Sequence, residues 1–514
     1  MRPRFNLSFI PAAFAMVVLA QMSGVGILPR ARAEGGVALW TNQYIGQSAG
    51  AAIAVVLDSS ENVLATGFAD PFTFNHDVIT IKYSNTGVPV WTNRYNGPAG
   101  FGDYGSGLAV DSNANVFVVG TSGLEPVNGP ILEYVTIKYS AAGVPLWTSR
   151  YDSGQDSYSN DFGDPLIALD STGNIFVTGT VTNGSGLELR IIKYSSDGAG
   201  IWTNRFADAY AKGIRIDSRD NVVVAGYGSR MGGYDDYLIL KYSNAGTALW
   251  TNQFSGHNTF LSAGAMGVAV DSNDNILVTG WVDITGSRSD YVTLKYSGTG
   301  IPLWTNSYYS GARFGAYARA VAVDSSDNLI VTGEVRESTD SSVYSTIKYS
   351  RLGEPLWTNR FSGGPGTSAF SVVVDRSDNV IVSGSAGTIA YSPAGLVLWT
   401  DRSVITLSHQ ALAVDSSGNV FAAGLFANSG NGYVVVKYSA IPAARITMTI
   451  ISDGSGGYFI RSSGPPNMSY RLQRSSAVIG PWLIISTNTA PASGLVEYHD
   501  TAPLAGQAFY RAIQ

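Results

Sequence analysis

Apolar and polar positions alternate in short runs along most of this chain of 514 residues. In the segment 107–151, apolar runs at 107–111, 116–120, 134–139 and 145–151 are separated by residues that favour turns. Short runs of this kind, bounded by Gly, Asn, Asp or Ser, predict β-strands. The segment therefore predicts four short antiparallel strands. No sustained helical period appears, so we expect an all-β protein.

The same segment recurs eight times, and its most regular part is Asp-Ser-x-x-Asn-x-x-x-x-Gly. These copies begin at Asp58, Asp111, Asp170, Asp217, Asp271, Asp324, Asp375 (followed by Arg376 in place of Ser) and Asp415. The motif lacks the alternating oxygen ligands and the closing Glu of an EF-hand loop, so it predicts a hairpin turn. A repeat of this length predicts a propeller or a solenoid, and four strands per repeat favour the propeller.

The two ends of the repeat array predict a closed ring. The chain enters with a lone strand of the fourth type at 37–44 and leaves after a copy with three strands, at 411–415, 420–424 and 433–438. The first strand can complete the last blade, which removes two open sheet edges. We expect eight blades. A seven-bladed ring is the alternative, because the copy at 375–399 is short.

The repeat resembles a known family. Asp-Ser-x-x-Asn-Val-x-Val-x-Gly, followed by a Thr-Ile-Lys-Tyr-Ser strand and a Leu-Trp-Thr-Asn-Arg-Tyr strand, is similar to the SBBP-type bacterial β-propeller repeat over about residues 37–439. The resemblance implies an exported or surface-associated propeller. Because most members have no assigned activity, it implies no catalytic residues.

The segments outside the repeats predict further units. Residues 1–33 combine Arg2 and Arg4 with an apolar run and end in Ala31-Arg32-Ala33, as a secretory signal peptide does, although an uncleaved anchor is the alternative. We expect the propeller at 34–440, a linker at 441–445 and a small β-sandwich at 446–514. The motifs Tyr470-Arg-Leu-Gln-Arg474 and Phe509-Tyr-Arg511 make this last segment similar to fibronectin-III-like modules of secreted bacterial proteins.

Composition and net charge limit the kinds of partner that this chain is expected to bind. Loss of the signal removes four Arg and no acid, which shifts the net charge from −6 to about −10. An acidic chain without a basic cluster predicts no nucleic-acid partner and, after signal removal, no membrane insertion. The chain has no cysteine, so disulfides and thiol chemistry are excluded. We expect a protein that is secreted, periplasmic or on the cell surface.

Loop lengths predict which face of the propeller carries the functional site. The Asp-to-Asn, Asn-to-Gly and Lys-to-Trp separations are constant, and these intervals contain the first-to-second and third-to-fourth turns, which we call the constant face. The other connections vary in length and form the variable face, where individual function is usually built. Aromatic side chains near these loops suit carbohydrate or protein. The candidate ligand-binding residues are Trp281, Tyr104, Tyr158, Phe162, Tyr234, Tyr309 and Tyr317.

A lysine recurs in the third strand, which we expect to be buried. A buried charge needs a partner, and the Asp that closes the first strand is the obvious one. The predicted structural pairs are Asp58 with Lys82, Asp111 with Lys138, Asp271 with Lys295, and Asp324 with Lys348. The seventh copy has Ala390 in place of Lys, for which Arg376 is a candidate compensation.

Enzymatic chemistry has weaker support. The four His are scattered, no nucleophile motif occurs, and we expect no cofactor. If a calcium ion binds, its candidate ligands are Asp152, Asp156, Asp161 and Asp164. We therefore expect an exported, non-enzymatic binding or scaffold protein that recognises an extracellular glycan or a protein surface. The alternative is an extracellular polysaccharide hydrolase or lyase that uses two carboxylates across the central channel.

Overall fold

The computed structural model describes residues 18–19, 36–44, 50–72, 75–124, 131–151, 165–183, 186–230, 233–256, 261–285, 288–309, 311, 314–338, 341–362, 366–402, 411–426, 432–439, 447–463, 469–476, 481–489, 491, 495–504 and 508–513. The chain divides into two compact units, Trp40–Ala440 and a second unit of residues 1–39 with 441–514. Among the described residues, no helix has the length and hydropathy of a membrane-spanning segment.

The repeats form four-stranded antiparallel sheets, which we number from the N-terminal side. The strands of sheet 1 are Gly50–Leu57, Val63–Phe72, Asn75–Tyr83 and Pro89–Tyr95, and those of sheet 2 are Asp103–Val110, Val116–Leu124, Ile131–Tyr139 and Pro145–Tyr151. The strands of sheet 3 are Leu166–Leu169, Ile175–Asn183, Gly186–Tyr194 and Gly200–Ala207, and those of sheet 4 are Ala209–Ile216, Val222–Arg230, Tyr234–Tyr242 and Ala248–Phe254. The strands of sheet 5 are Ala263–Val270, Ile276–Thr285, Arg288–Tyr296 and Pro302–Tyr308, and those of sheet 6 are Ala316–Val323, Leu329–Arg336, Ser342–Tyr349 and Pro355–Phe361. The strands of sheet 7 are Ala369–Val374, Val380–Gly384, Gly387–Tyr391 and Val397–Asp401, and those of sheet 8 are Ala411–Val414, Val420–Phe426, Gly432–Tyr438 and Ala38–Tyr44.

The core is divided among the interfaces between consecutive sheets. Between sheets 4 and 5, for example, Tyr237 and Ile239 pack against Val268 and Val278, all at most 2% exposed. A comparable apolar cluster joins each sheet to the next, including sheet 8 to sheet 1. Each fully buried Val, Leu, Ile or Phe contributes roughly 1.5–3 kcal/mol, so stability is spread around the ring. The predicted all-β propeller fold is confirmed.

The N-terminal strand Ala38–Tyr44 is the fourth strand of sheet 8. The Trp40 indole lies 6.0 Å from the ring of Phe421 in sheet 8 and 6.0 Å from the ring of Tyr83 in sheet 1. Its Nε1 donates a hydrogen bond to the carbonyl oxygen of Asn85 at 3.0 Å. Tyr44 completes the contact through the ring of Tyr433, at 6.4 Å. The two distant ends of the repeat array therefore meet in one sheet.

The Asp-Ser-x-x-Asn motif forms the turn between the first and second strands. The Asp58 Oδ1 accepts backbone hydrogen bonds from Ser60 and Asn62, both at 2.9 Å. The fourth position of the motif has a positive φ, 60° at Glu61 and 61° at Asp274. Because this conformation suits Gly, Asn and Asp, the local geometry accounts for the Asp or Gly found there in most copies.

Buried ion pairs link the third strand to the end of the first strand within one sheet. Lys82 Nζ lies 2.8 Å from Asp58 Oδ2, with side-chain exposures of 7% and 1%. The same geometry holds for Lys295 with Asp271 at 2.8 Å, Lys348 with Asp324 at 2.8 Å, Lys193 with Asp170 at 3.1 Å, Lys241 with Asp217 at 2.7 Å, and Lys437 with Asp415 at 3.4 Å. Sheet 2 differs. There Lys138 Nζ donates to the Ser196 carbonyl at 2.7 Å, and Asp111 accepts from Asn113 and Asn115.

The same lysines also bind the next sheet. Lys241 Nζ and Trp250 Nε1 both donate to the carbonyl oxygen of Gly298, at 3.0 and 3.2 Å, and Asn252 Nδ2 donates to that of Gly300 at 2.8 Å. Both acceptors belong to the third-to-fourth turn of sheet 5. We call this set of bonds from Lys, Trp and Asn the inter-sheet lock. Its lysine and tryptophan bonds recur from sheets 1 to 6, and from sheet 8 to sheet 1.

A turn glycine makes room for each lock. Gly246 has a φ of +86°, and a Cβ there would lie 2.9 Å from the Trp202 ring of the preceding sheet. Glycine is therefore required twice, for its backbone conformation and for the close approach of the indole.

The lock explains the irregular seventh copy. Because the fourth strand of sheet 8 comes from the N-terminal side, the chain makes no third-to-fourth turn there. Sheet 7 consequently faces no turn carbonyl, and its third strand carries Ala390, 1% exposed, instead of Lys. Its Trp399 is 3% exposed and packs 5.7 Å from the ring of Tyr438. The missing lysine thus follows from ring closure, without a need for compensation by Arg376.

The second unit contains two sheets. Ser469–Ser475 lies between Leu483–Thr489 and Phe509–Ile513, and the short strand Val18–Leu19 pairs with the latter. Tyr458–Ser463 lies between Thr447–Ser452 and Leu495–Asp500. A cluster of Met448, Ile460, Leu472, Tyr510 and Ala512 contains side chains from both sheets.

We expect Trp40→Ala to destabilise the propeller by about 2–3 kcal/mol, less than the ~3–5 kcal/mol of a fully buried tryptophan because Trp40 is half-buried. Urea unfolding followed by circular dichroism measures this. Leu39→Ala, in the same strand but 52% exposed, is the control and should change the free energy of unfolding by no more than ~0.5 kcal/mol. Equal effects of the two substitutions would contradict ring closure through Trp40.

The buried ion pairs predict a loss of stability in acid. Burial raises the pKa of the Asp271 carboxyl, but hydrogen bonds from Lys295 and Asn275 outweigh it, and the pKa lies below its ordinary 3.8. The pKa values of Asp58, Asp217, Asp324 and Asp415 are lowered in the same way, and that of Asp170 is lowered by hydrogen bonds from Asn174, Thr172 and Asn244 that outweigh its burial. Because the folded-state pKa is the lower one, the stabilisation is complete above pH 3.8 and declines as the pH falls through the folded-state values. Urea unfolding between pH 7 and pH 2 measures this decline.

Lys295→Met separates this cause from general acid effects. The variant leaves the Asp271 charge buried without its cation, so it should lose about 3–5 kcal/mol at pH 7. Since the pKa of Asp271 then rises, the decline in acid should also be shallower than in the native chain. An unchanged pH dependence would show that the pair does not govern acid unfolding.

Candidate functional site

The first strands form the inner ring of the propeller. First strands of consecutive sheets contact one another, and the fourth strands lie at the outer edge of each sheet. The variable face therefore meets the central channel where the first strands begin. We call this region the inner rim.

A β-bulge interrupts the first strand near the inner rim in six sheets. The pairing register shifts between Ala52 and Ala54, and in the same place in sheets 2, 4, 5, 6 and 7. A bulge turns one side chain out of the regular alternation, and bulges are common beside functional sites. The bulged residues are Ile53, Ser106, Lys212, Met266, Arg319 and Phe370, and all are partly exposed.

Trp281 and Tyr317 lie together at the inner rim between sheets 5 and 6, with ring centroids 6.2 Å apart. Trp281 pairs with Gly264 of the first strand, and a Cβ at Gly264 would lie 3.2 Å from the indole. The corresponding first-strand positions carry Tyr104, Tyr210 and Tyr317. The indole thus extends across the space over Gly264 that a side chain would otherwise need.

The Arg336 guanidinium lies over the Tyr317 ring, with its carbon 4.9 Å from the ring centroid. Glu334, 3% exposed, accepts hydrogen bonds from Arg336 at 2.9 Å and from Arg319 at 3.3 Å, and it also bonds the Ser368 hydroxyl. These bonds fix the position of both guanidinium groups. We call Trp281, Tyr317 and Arg336 the aromatic platform. Its flat groups suit stacking against a sugar ring or a peptide.

The remaining predicted aromatics do not join the platform as a single set. Tyr104 packs 5.2 Å from the ring of Phe68 and 5.0 Å from that of His76, at sheets 1 and 2. Tyr309 is 60% exposed and lies under Arg288, 4.6 Å from its guanidinium carbon. Tyr234 begins the third strand of sheet 4 and is partly exposed. Tyr158, Phe162, Asp152, Asp156, Asp161 and Asp164 lie outside the described residues.

Charged pairs at the variable-face end of the third strands were not recognised in the sequence. Asp77, fully buried, pairs with Arg94, and Glu133 pairs with Arg150 at 2.7 Å. The acid always precedes the third-strand Lys by five residues, and the Arg follows the Trp by three. Their recurrence in the first three sheets was the signal that could have revealed these pairs. They tie the fourth strand to the third on the face where the loops vary.

The described ranges contain no group of three His, Asp or Glu side chains placed to hold a metal ion. A shallow cleft of about 380 Å³ lies on the constant face, between the turns of sheets 5 and 6, and is lined by Trp304, Asp327 and Leu352 among others. It is formed mainly by residues of the inter-sheet lock and the hairpin turns. The inner rim, with its half-exposed aromatic and charged groups, is therefore the better candidate site.

Comparison with known proteins supports the fold. No family model matches the chain. An uncharacterized WD repeat-containing protein of Acanthamoeba polyphaga mimivirus is 24% identical over 474 residues, a match that covers 73% of this chain and 31% of the viral protein. The chain thus spans about a third of the length of this relative.

A solved propeller supports the fold. The Dos1 propeller superposes with a TM-score of 0.50 at 10% identity and covers 79% of this chain and 97% of that one. The C-terminal WD40 domain of Sif2 gives a TM-score of 0.49 at 12% identity and covers 77% of this chain and 99% of that one. Likeness at this identity carries no activity with it. The comparisons thus support a β-propeller fold for this chain.

Proposed function

We propose that this chain is an exported binding protein that holds a carbohydrate or a peptide at the inner rim of its variable face. The observation that carries the proposal is the aromatic platform: Trp281 and Tyr317 are half-buried, in ring contact, and covered on one side by Arg336. Side chains that are held in place but partly exposed lose little entropy when a ligand stacks on them.

The contrast between the two faces supports a binding role for the variable one. The constant-face turns are committed to the inter-sheet lock and to bonds such as Ser272 Oγ to Asp327 of the next sheet, at 2.6 Å. The inner rim differs from sheet to sheet, with Phe68, Tyr227, Trp281 and Glu334 at equivalent second-strand positions. Variation of this kind is typical of a scaffold that carries an individual site.

Export remains part of the proposal through the N-terminal pattern. Arg2 and Arg4, the apolar run and Ala31-Arg32-Ala33 match a signal peptide, and the SBBP-type repeat and the C-terminal module resemble those of secreted proteins. Mass spectrometry of the protein purified from its native cells would test it. A mature N-terminus at residue 34 in an extracytoplasmic fraction supports export, and intact Met1 in the cytoplasm contradicts it.

Binding should depend on the aromatic platform. We expect Trp281→Ala and Tyr317→Ala each to weaken binding by about 10- to 30-fold, as loss of a central aromatic contact costs ~1.4–2 kcal/mol or more. A glycan and peptide array with the full chain identifies a ligand, and isothermal titration calorimetry then measures affinity. Leu352→Ala is the control, because Leu352 is 73% exposed on the constant face. If binding is lost in the Leu352 variant and kept in both platform variants, the ligand binds the constant face and the proposal is contradicted.

The same samples distinguish binding from catalysis. Release of new reducing ends or unsaturated products from a polysaccharide, abolished by substitution of one variable-face carboxylate, would favour the hydrolase or lyase. Saturable binding without turnover favours the binding protein.

A further inference from the structure

The charges on the inner ring differ in sign from the chain as a whole. The described first strands contain four charged residues, Asp103, Lys212, Arg215 and Arg319. Asp103 is fully buried and accepts the backbone hydrogen bond of Gly97 at 2.6 Å. The three cations are at least partly exposed. A chain of net charge −6 therefore presents cations along the inside of its ring.

Arg215 is the seventh residue of the first strand Ala209–Ile216, near the constant-face end of the inner ring, and it is exposed. Burial lowers the pKa of its guanidinium below the ordinary value, although the side chain keeps solvent-accessible surface. Among the described residues its hydrogen bond is to the Ile214 carbonyl oxygen, 2.8 Å from Nη1. A guanidinium has five N–H donors, so most remain available for a ligand.

The equivalent positions show how unusual this arginine is. In the other sheets the residue two places before the first-strand Asp is small and apolar: Val56, Ala109, Ala168, Ala269, Ala322, Val373 and Ala413. Because the other sheets pack with a small apolar residue at this position, the packing of the ring does not require a long cation there. Its presence points to a ligand rather than to the fold.

Two further cations extend the path from Arg215 towards the inner rim. Lys212 occupies the bulge of the same strand, three residues or about 10 Å from Arg215. Its ammonium lies 5.7 Å from the Tyr227 ring and 6.0 Å from that of Tyr210. Arg319 occupies the bulge of sheet 6, two residues after Tyr317 of the aromatic platform. Lys212 thus lies beside two tyrosine rings, and Arg319 lies close in sequence to the aromatic platform.

We propose that the channel between sheets 4 and 6 binds an acidic glycan, with Arg215 and Lys212 holding its carboxylate or sulfate groups. The inference rests on the proposed function and narrows its ligand class. A guanidinium binds an oxyanion through paired hydrogen bonds, and such bonds are stronger where protein excludes water. The aromatic platform and the tyrosines beside Lys212 would stack on the sugar rings between the charged groups.

The experiment uses the full chain and three polymers: polygalacturonate for carboxylates, dextran sulfate for sulfates, and neutral dextran. Calorimetry should show saturable binding of polygalacturonate, dextran sulfate or both, weakened by salt. Arg215→Gln should reduce that affinity about tenfold or more, because a charge-assisted hydrogen bond is lost. Arg215→Lys should recover part of it. Arg219→Gln is the matched control, since it removes the same charge from an exposed position on the constant-face turn.

The outcomes separate this inference from the broader proposal. Equal affinity of the Arg215→Gln and Arg219→Gln variants overturns the channel site, provided that circular dichroism shows both to be folded. Binding of neutral dextran or a peptide through Trp281, with no binding of either acidic polymer, overturns the inference and leaves the proposed function intact. Tighter binding of single-stranded DNA than of both acidic polymers also overturns it. Loss of all binding in Trp281→Ala with normal binding in Arg215→Gln has the same consequence.

Discussion

The inter-sheet lock is the interaction on which the rest of the propeller depends. Each lock directs a lysine, a tryptophan and usually an asparagine of one sheet to carbonyl oxygens of a turn in the next. Except in sheet 2, the lysine is also held by its own sheet's aspartate, so one buried charge joins three segments of chain. A buried cation would be costly if any of these partners were lost. The chain has no cysteine, so these contacts and the apolar interfaces must hold the ring together.

Because the lock uses the turns of one face only, the two faces of the propeller differ in how much their residues can vary. On the constant face, lock and hairpin turn leave little room for change, since even Gly246 is fixed by both its φ and its contact with Trp202. On the variable face, the sheets differ in the residues that surround the channel. Trp281 over Gly264 and Arg215 among alanines and valines are departures from the repeat that the fold does not require. We therefore place function at such departures.

The sequence predicted the strands, the hairpin turn and the completion of the last sheet by the N-terminal strand. Each of these leaves a local pattern or a mismatch in the number of strands per repeat. The turn carbonyls that receive Lys241 and Trp250 could not be predicted, since a backbone acceptor leaves no mark in the residue type. For the same reason Ala390 looked like a defect needing compensation, although it faces a sheet that has no such turn. At the site, Trp281 stood out as an unusual residue, but its contact with Tyr317 depends on the bulges and on the packing of two sheets. Arg215 was missed, although alignment of the repeats shows it as the one long cation at a position that is otherwise Ala or Val.

Native-state hydrogen exchange tests ring closure most directly, because it compares sheet 8 with an interior sheet in one molecule. If Ala38–Tyr44 completes sheet 8, the amides of Gly432–Tyr438 should exchange as slowly as those of Tyr234–Tyr242 in sheet 4, and Trp40→Ala should accelerate exchange in sheet 8 first. Rapid exchange of Gly432–Tyr438 in the native chain, at the rate of an unpaired edge strand, would contradict a closed ring.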